Sequence, residues 1–405
     1  MVGRGLAAAA ILVFTCGASQ AAGDANFALI PADAVGAIAA ARSTAEGMAV
    51  IAEANHFLAL KPKAKATIHV EGTLGTPDFE VAKDWPRMLA LSLAFRMTGD
   101  HRYFAVLDVT LNAWLDVFAM SQRRLIESEE CLIYPLPPGA QCVNPIDDAE
   151  LASLILAYDV ARHDLSAATA EKMARFMRNL AQSYLRDIAL RNASTNRSVR
   201  ANASGNWQSH RIKLATLGAF FVGDAKLEAA AHEAFMAQIE NNMVYQLWGV
   251  CNGAKCQKTI DDGSVYDFAV RDALHYTVYD LDPLLDCVLA AHAHGQDWYH
   301  YVAPHEASLQ RAMEWLLPYA AGDKTHDEFV HSGIGFDRQR AEKGWKGYSG
   351  IWDRTTAETL FRKGLRLDTS LGKPAIAALA KAPYAAALYD PGVSSSDPLV
   401  GFLYR

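Results

Sequence analysis

Apolar residues recur at spacings of three and four along most of the chain, which is the pattern of helices with one buried face. The pattern predicts helices over 85–97, 103–120, 147–161, 167–190, 212–222, 226–246, 269–293, 308–320 and 374–388. Several of the breaks between them combine Gly with Asp, as in TGDHR at 98–102 and VGDAK at 222–226. Gly ends helices and Asp starts them, so these breaks indicate helical hairpins. Strand patterns are rare, and 67–70 is one short candidate.

Repeated helical hairpins form either an open solenoid or a closed α/α toroid. The segments LAFRMTGDHRYF (93–104) and GAFFVGDAKLEA (218–229) are alike, but the repeats are irregular. Polar insertions interrupt them at 121–147, 191–210, 247–268 and 322–353, and function concentrates in such loops. We predict an all-α fold, an α/α toroid forming an incomplete barrel of helical hairpins. No Pro/Gly/Ser-rich linker divides residues 22–405, so we expect one domain there.

The N-terminus has the pattern of an export signal. Arg4 precedes an apolar stretch at 6–14, and small residues end at Ala21. A lipoprotein signal around Cys16 is an alternative, although Thr15 stands where a small Gly or Ala is expected. The apolar stretch is too short to span a bilayer. We predict a signal peptide over 1–21, a periplasmic or secreted protein and no membrane insertion.

Cysteine spacing agrees with an oxidising compartment. Cys131 and Cys142 flank a Pro-rich loop, and Cys251 and Cys256 flank the tight segment NGAK, so both spacings suit local disulfides. Cys287 lies in an apolar run and is predicted to be a buried thiol. Paired C-x-x-C spacing, which would favour zinc, is absent from the sequence.

Composition excludes several classes of protein. The chain has 405 residues, of which 51% are hydrophobic, too many for a disordered protein. Its 38 basic and 45 acidic residues give a net charge of −7, which argues against a nucleic-acid partner. Eight Trp and 15 Tyr suit either an aromatic-lined cleft or a large core.

A first cluster of chemically active residue types lies at 204–211. Asn206 and His210 are four residues apart, so a helix would place both on one face. They form a candidate site together with Trp207. The alternative is an ordinary helix start, with Asn206 as cap, Trp207 packing and His210 as a surface donor.

A second cluster follows the polar loop at 261–267. Arg271, His275, Tyr276 and Tyr279 bring donors and titratable groups together. On an ideal helix His275 lies about 40° and Tyr276 about 140° from Arg271. Arg271 and Tyr276 can therefore aim at one point only if Arg271 lies in a less regular turn. The alternative is that Arg271 pairs with Asp267 and the tyrosines pack.

Two groups of histidines carry weaker signals. His326 and His331 lie in the polar insertion 322–353, which we interpret as an ordinary loop. A further group does not match the spacing of a zinc-binding helix and consists of His292, His294, His300 and His305.

The two clusters resemble the alginate-lyase-type polysaccharide lyases, which are α/α toroids acting on uronic-acid polymers. The resemblance covers about 80–340 and lies in NWQSHRIKL at 206–214 and DGSVYDFAVRDALHYTVYDLDPLL at 262–285. It is most specific at 273–285, where a similar family segment carries the catalytic Tyr, which implies that role for Tyr276. The family's adjacent Asn-Asn-His run corresponds here to Asn206 and His210, three residues separating them. The family Arg corresponds to Arg271, at a different spacing.

The resemblance implies β-elimination at a uronate. Asn206, His210 and Arg271 would stabilise the substrate carboxylate as the C5 proton leaves. Tyr276 would act as base and acid, or as acid with His210 as base, and Arg271 would favour the tyrosinate. We assign substrate binding to Trp207, His275, Tyr279 and Tyr266, and expect no cofactor and no metal. Trp345 and Trp352 are further candidates for stacking on sugar rings, although Trp352 equally suits a core.

The predicted substrate is an anionic polysaccharide, with alginate favoured and glucuronan or another polyuronate possible. Because the net charge repels a polyanion, recognition must come from a local pocket around Arg271 and His210. One rival is an inverting glycoside hydrolase, with its carboxylate pair drawn from Asp147, Asp148, Glu150, Asp261 and Asp262. The other is a non-catalytic glycan-binding protein. We expect a monomer.

Overall fold

The computed structural model describes residues 28–65, 81, 83–120, 145, 148–196, 199, 203–243, 263–345, 347–372 and 398–404. Within these ranges the regular structure is helical, apart from an isolated antiparallel bridge between Asp327 and Ile351. The α-helices are α1 (Ala32–Ala40), α2 (Ala45–Phe57), α3 (Asp84–Thr98), α4 (His101–Met120), α5 (Leu151–Ala161), α6 (Ala167–Ala193), α7 (Asn206–Val222), α8 (Ala225–Asn242), α9 (Tyr266–Arg271), α10 (Leu274–Ala293), α11 (Leu309–Ala321), α12 (Gly335–Glu342), α13 (Glu358–Leu365) and α14 (Pro398–Leu403). Short 3₁₀ turns lie at Ala41–Ser43, Pro304–Glu306, Arg354–Ala357 and Thr369–Leu371.

The helices pack in a closed ring. Helix α3 packs on α4, α4 on α6, α6 on α7, α7 on α10 and α10 on α13. Helix α13 then packs on α14, which returns to α1 and α3. This path confirms the prediction of an all-α toroid. It also shows how α7 and α10, which carry the two sequence clusters, come to lie side by side.

The predicted break at 222–226 shows why the hairpins form. Gly223 adopts a left-handed conformation, with φ of 61°, and its N–H bonds back to the carbonyls of Ala219 and Phe220. The Asp224 carboxylate then accepts the N–H groups of Lys226 and Leu227 at the start of α8. End and start signals therefore act within one short turn, as their residue types predict.

Several predicted helix bounds are wrong. The helix predicted over 147–161 begins at Leu151, because 148–150 form a turn. The helix predicted over 212–222 begins six residues earlier, at Asn206, where buried polar side chains conceal the helical period. The helix predicted over 226–246 ends at Asn242. The segment predicted as one helix over 269–293 forms two helices, α9 and α10.

Some predictions lie outside the described residues. They concern the signal peptide at 1–21, the strand at 67–70, the helix at 374–388, and the residues Cys131, Cys142, Cys251, Cys256, Asp147, Asp261 and Asp262. Cys287 is described, and the prediction of a buried thiol there is confirmed.

Two buried carboxylate systems tie distant parts of the ring together. Asp159 on α5 accepts the backbone N–H groups of Ala28, Leu29 and Ile30, at 2.7, 2.9 and 3.1 Å. Lys363 on α13 is buried and bonds both oxygens of Asp282 on α10, at 2.9 and 3.0 Å. Because a buried charge is costly when unpaired, these contacts fix where the partner segments lie.

None of the described helices is by itself long and apolar enough to cross a membrane. Helices α1 and α2, with the turn at 41–43, meet the length and composition test only as a pair bent by 84°.

Candidate active site

The site begins at a break in the chain between α9 and α10. Asp272 has a φ of 54°, a left-handed conformation that is uncommon outside glycine, and its N–H caps α9 by bonding to Phe268. Ala273 is extended, and α10 starts at Leu274. Arg271 therefore lies in a separate short helix from Tyr276. This meets the condition under which the two side chains can converge.

The segment 326–333 holds that break in place. The N–H of Phe329 donates to the Asp272 carbonyl at 2.8 Å, and the N–H of His331 donates to the Asp272 carboxylate at 2.7 Å. The His326 ring contacts the same carbonyl at 2.9 Å. Glu328 accepts the N–H of Leu274 at 2.8 Å, at the first turn of α10. The polar insertion around His326 and His331 thus holds Asp272 and the first turn of α10 in position.

Arg271 contacts both Tyr276 and two carboxylates. Its Cζ lies 3.8 Å from the centroid of the Tyr276 ring. Its Nε is 3.2 Å from Asp267 and its Nη1 is 2.5 Å from Asp337. Asp337 is fully buried and also accepts the hydroxyl of Ser332 at 2.8 Å. The predicted alternative, a pair between Arg271 and Asp267, is therefore present together with the contact to Tyr276.

Tyr276 is buried in a cluster with a second tyrosine. Its hydroxyl lies 3.1 Å from the hydroxyl of Tyr348, and the Tyr348 ring stacks on Phe329 with centroids 4.9 Å apart. Burial raises the pKa of Tyr276 well above its ordinary value, although Arg271 acts to lower it. Arg271 therefore favours the tyrosinate, as expected, but the loss of hydration outweighs its charge.

His210 reaches the same region from α7. Its ring centroid lies 4.4 Å from that of Tyr279, which in turn lies 6.1 Å from that of Tyr276. Burial, followed by the charges of Lys213 and Lys363, lowers the pKa of His210 well below its ordinary value. Neither ring nitrogen meets a hydrogen-bonding side chain among the described residues. His210 is therefore a neutral, buried imidazole and not the surface donor of the alternative interpretation.

Asn206 is fixed by the carboxylate that also holds Arg271. Its backbone N–H and its side-chain Nδ2 donate to Asp267, at 2.6 and 2.9 Å. Its Oδ1 is buried and has no hydrogen-bond partner in the described part of the chain. The alternative that Asn206 caps the helix is wrong, since Gly205 occupies the cap position. Asp267 thereby joins α7 to α9.

Of the residues assigned to substrate binding, three lie near Tyr276 or His210 and one does not face outward. His275 lies beside Tyr276, with ring centroids 5.2 Å apart, and burial lowers its pKa to about 4. Tyr279 lies between Tyr276 and His210. Trp207 is half-buried, with the Arg211 guanidinium 5.8 Å from its ring centroid. Tyr266 is 6% exposed, about as buried as Tyr276 at 7%, and is the first residue of α9.

Of the other two aromatic candidates, one is buried and the other is exposed. Trp352 is buried in the main core, so it is a core residue and does not stack on a sugar ring. Trp345 is 44% exposed and lies 6.3 Å from Tyr348, between ring centroids. It therefore offers an accessible aromatic face close to Tyr276.

Four residues of the site were not among the candidates from the sequence: Tyr348, Arg340, Asp337 and Glu328. Arg340 lies on α12, donates a hydrogen bond to the Tyr348 hydroxyl, and has its Cζ 4.6 Å from the Trp345 ring centroid. All four belong to the long polar insertion at 322–353, whose richness in aromatic and charged residues was the signal available. Their positions depend on contacts with α9 and α10 that lie more than 50 residues away in sequence.

Other sequence candidates are placed elsewhere. His294 contacts the Ala28 carbonyl, and His300 contacts Asp297. Across the described ranges, no three His, Cys, Asp or Glu side chains are grouped so as to hold a metal ion. Asp148, a candidate for the hydrolase pair, is buried and accepts the hydroxyl of Tyr184 at 2.7 Å.

Comparison with known proteins agrees with this arrangement. The family model described as alginate lyase matches residues 41–326, which include α7, α9 and α10. Among solved structures, an alginate lyase from Bacteroides ovatus is similar, with a TM-score of 0.57 and 14% identity. The match covers 94% of this chain and 99% of that chain. No curated protein matches significantly.

The helical ring and the family match define the class as a polysaccharide lyase. The chain belongs to the alginate lyase family. This membership favours the lyase over the glycoside hydrolase and over the non-catalytic glycan-binding protein.

Proposed function

We propose that the protein cleaves a uronic-acid polymer by β-elimination, with Tyr276 as the base and the acid. The observation that carries the proposal is the position of the Tyr276 hydroxyl. It lies in a buried cluster with Arg271 against its ring, a second hydroxyl at 3.1 Å, and the neutral ring of His210 one aromatic neighbour away. Alginate is the favoured polymer because of the family, and glucuronan or another polyuronate presents the same carboxylate.

In the proposed reaction Tyr276 is ionised before the chemical step, and its tyrosinate oxygen takes the C5 proton of a uronate. The electron pair of the C5–H bond forms the C4–C5 double bond, and the C4–O4 bond breaks. The same tyrosine then returns the proton to O4. One residue serves both steps when C5–H and O4 lie on one side of the sugar ring. For the other geometry, His210 is the base and Tyr276 the acid.

The substrate carboxylate must be stabilised while charge develops on it. We assign this task to His210, whose ring nitrogens are buried without side-chain partners in the described structure, and to Asn206, whose Nδ2 donates one hydrogen to Asp267 and keeps the other for the carboxylate. Asn206 contributes through its amide and His210 through a ring N–H. Arg271 contributes positive charge from its place over Tyr276, while its Nε and Nη1 already donate to Asp267 and Asp337. We therefore assign Arg271 mainly to holding the Tyr276 ring.

The test is to incubate the protein with alginate rich in each epimer and with glucuronan. A lyase generates an unsaturated product that absorbs in the ultraviolet, whereas a hydrolase generates reducing ends without that absorbance, and a binding protein generates neither. Tyr276→Phe should lower kcat by about 10²–10⁴-fold, the usual contribution of acid–base catalysis. Tyr301→Phe is the matched control, because Tyr301 packs against the main core. Full activity in Tyr276→Phe would refute the mechanism.

We also propose export to the periplasm or beyond the cell after removal of 1–21, and a monomeric state. N-terminal sequencing of the exported protein tests the cleavage. Light scattering tests the monomer.

A further inference from the structure

We propose that Arg340 and Tyr348 form a hydrogen-bonded relay to Tyr276 that makes the Tyr276 oxygen an acceptor. In this relay Tyr348 and Arg340 are positioning residues, since they act through Tyr276. The inference rests on the proposed function, in which Tyr276 takes the C5 proton.

The direction of the relay follows from what each group is able to donate. A guanidinium donates hydrogen bonds and never accepts them. Arg340 Nη1 bonds the Tyr348 hydroxyl, so the Tyr348 oxygen is the acceptor in that contact. Either hydroxyl can be the donor across the 3.1 Å between Tyr348 and Tyr276, and in the relay the single proton of Tyr348 is donated to the Tyr276 oxygen. An oxygen that accepts such a bond is stabilised as an anion.

The charge of Arg340 is not committed to a carboxylate. Its guanidinium lies over three rings, with Cζ 3.8 Å from the Phe336 centroid, 4.6 Å from that of Trp345 and 5.0 Å from that of Tyr348. Its Nε is buried without a hydrogen-bond partner, and it forms no ion pair with any carboxylate in the described structure. Arg271, by contrast, is paired twice. Both cations act on Tyr276, and Arg340 is the one that also donates to the Tyr348 hydroxyl.

The relay is rigidly built. Tyr348 is 3% exposed and its ring is nearly parallel to that of Phe329, at 16°. The N–H of Tyr348 bonds the Trp345 carbonyl at 3.2 Å, and the N–H of Trp345 bonds the Arg340 carbonyl at 3.0 Å. These local bonds fold the segment that carries Tyr348 back onto the end of α12, which carries Arg340, and Tyr348 faces α10.

The relay offsets the burial of Tyr276. The charged and titratable groups around Tyr276 are Arg271 on α9, His275 and Tyr279 on α10, Glu328 of the segment 326–333, Arg340 on α12 and Tyr348 after α12. Burial raises the pKa of Tyr276, and so does Tyr348 when Tyr276 is the donor between the two hydroxyls, while Arg271 and Arg340 lower it. A donated bond from Tyr348 adds to the lowering and brings the tyrosinate closer to working pH.

The test is the pH dependence of kcat/KM for the wild type, Tyr348→Phe and Arg340→Met. Phe keeps the stacking on Phe329 and removes only the hydroxyl. The limb that rises with pH should move to higher pH by about one pH unit, so kcat/KM on that limb should fall about tenfold and recover at alkaline pH. Arg340→Met should move the limb in the same direction. Tyr301→Phe should leave it unchanged.

A double variant separates the relay from general damage to the site. Adding Arg340→Met to Tyr348→Phe should move the limb by less than Arg340→Met moves it in the wild type, because the part of the Arg340 effect that passes through Tyr348 is already lost. A limb that stays in place, or moves to lower pH, in Tyr348→Phe would overturn the proposal. Circular dichroism confirms that each variant is folded.

Failure of the proposed function can be distinguished from failure of the relay. If no polyuronate yields an unsaturated product, the function fails, and the relay is tested without substrate. The ultraviolet titration of wild type minus Tyr276→Phe reports Tyr276 alone. The same difference in a Tyr348→Phe background should have a higher midpoint, and equal or lower midpoints would overturn the relay.

Discussion

Arg271 lies over the ring of Tyr276 and at the same time bridges Asp267 and Asp337. The two carboxylates come from different segments, α9 and α12. One side chain therefore fixes the ring of the proposed catalytic tyrosine and the relative position of two helices.

Replacing Arg271 should affect stability and catalysis together. Arg271→Ala leaves two buried carboxylates without their partner, so the free energy of unfolding should fall by about 3–5 kcal/mol. Arg271→Lys keeps the charge but loses the planar fork, so kcat should fall more than stability does. Urea unfolding and the ultraviolet assay measure the two effects. Lys343→Ala, an exposed cation after α12, should change neither, and a stability loss for Arg271→Ala below about 1 kcal/mol would contradict this role.

Gly205 should tolerate no side chain. Its φ is 69°, and a Cβ there would lie 2.5 Å from the Asp267 oxygen that accepts the Asn206 N–H. Gly223 also has a positive φ, of 61°, but its Cβ would meet nothing within 4 Å. Gly223→Ala should therefore cost about 1 kcal/mol of backbone strain, and Gly205→Ala about 1–3 kcal/mol more, with loss of activity. Equal unfolding midpoints for the two variants would count against the close contact.

His210 should stay neutral through the working pH range. Because burial and nearby lysines lower its pKa, its ring resonances should not move between pH 8 and pH 6. The ring resonances of His210 are assigned as those that are missing from the NMR spectrum of His210→Asn. His210→Asn keeps an N–H donor and should retain more activity than His210→Ala, which should lose about 10²-fold in kcat. A ring that titrates near its ordinary pKa would show that the site is open to water.

Glu328 should make stability depend on pH. Burial raises the pKa of Glu328 to about 8 in the folded protein, so its proton is held more tightly there than in the unfolded chain. Its contribution to stability is therefore full at acid pH and is lost as the pH rises through about 8. Between pH 5 and pH 8 the loss is on the order of 2–4 kcal/mol. Urea unfolding of Glu328→Gln should show a weaker pH dependence than the wild type, while the exposed control Glu342→Gln should match the wild type.

The local signals in the sequence were sufficient for the hairpins and for part of the site. The turn at Gly223 and Asp224 uses only neighbouring residues, so it was predictable from residue types. Asn206 and His210 were selected by their spacing, and Tyr276 by the segment around it. These features depend on contacts within a few residues, or on a family pattern in a short stretch.

The rest depends on contacts between distant segments. The break at Asp272 is stabilised by Phe329 and His331, almost 60 residues later, and the apolar period alone predicts an unbroken helix there. The early start of α7 was concealed because polar residues such as Ser209 are buried, with Ser209 bonding Asp280 on α10 at 2.6 Å. Tyr348 and Arg340 acquire their meaning only when α12 packs against Tyr276. Periodicity does not report such pairings.

The break at Asp272 allows the angle between α9 and α10 to be changed by mutation. Since Arg271 ends the short helix α9 and Tyr276 lies in the first turn of α10, the angle between the two helices is governed by the segment 326–333 that clamps Asp272. Libraries directed at that segment would vary the spacing of the two side chains while leaving both intact. Under the proposed function, preference among uronic-acid polymers is a property to select for in that segment.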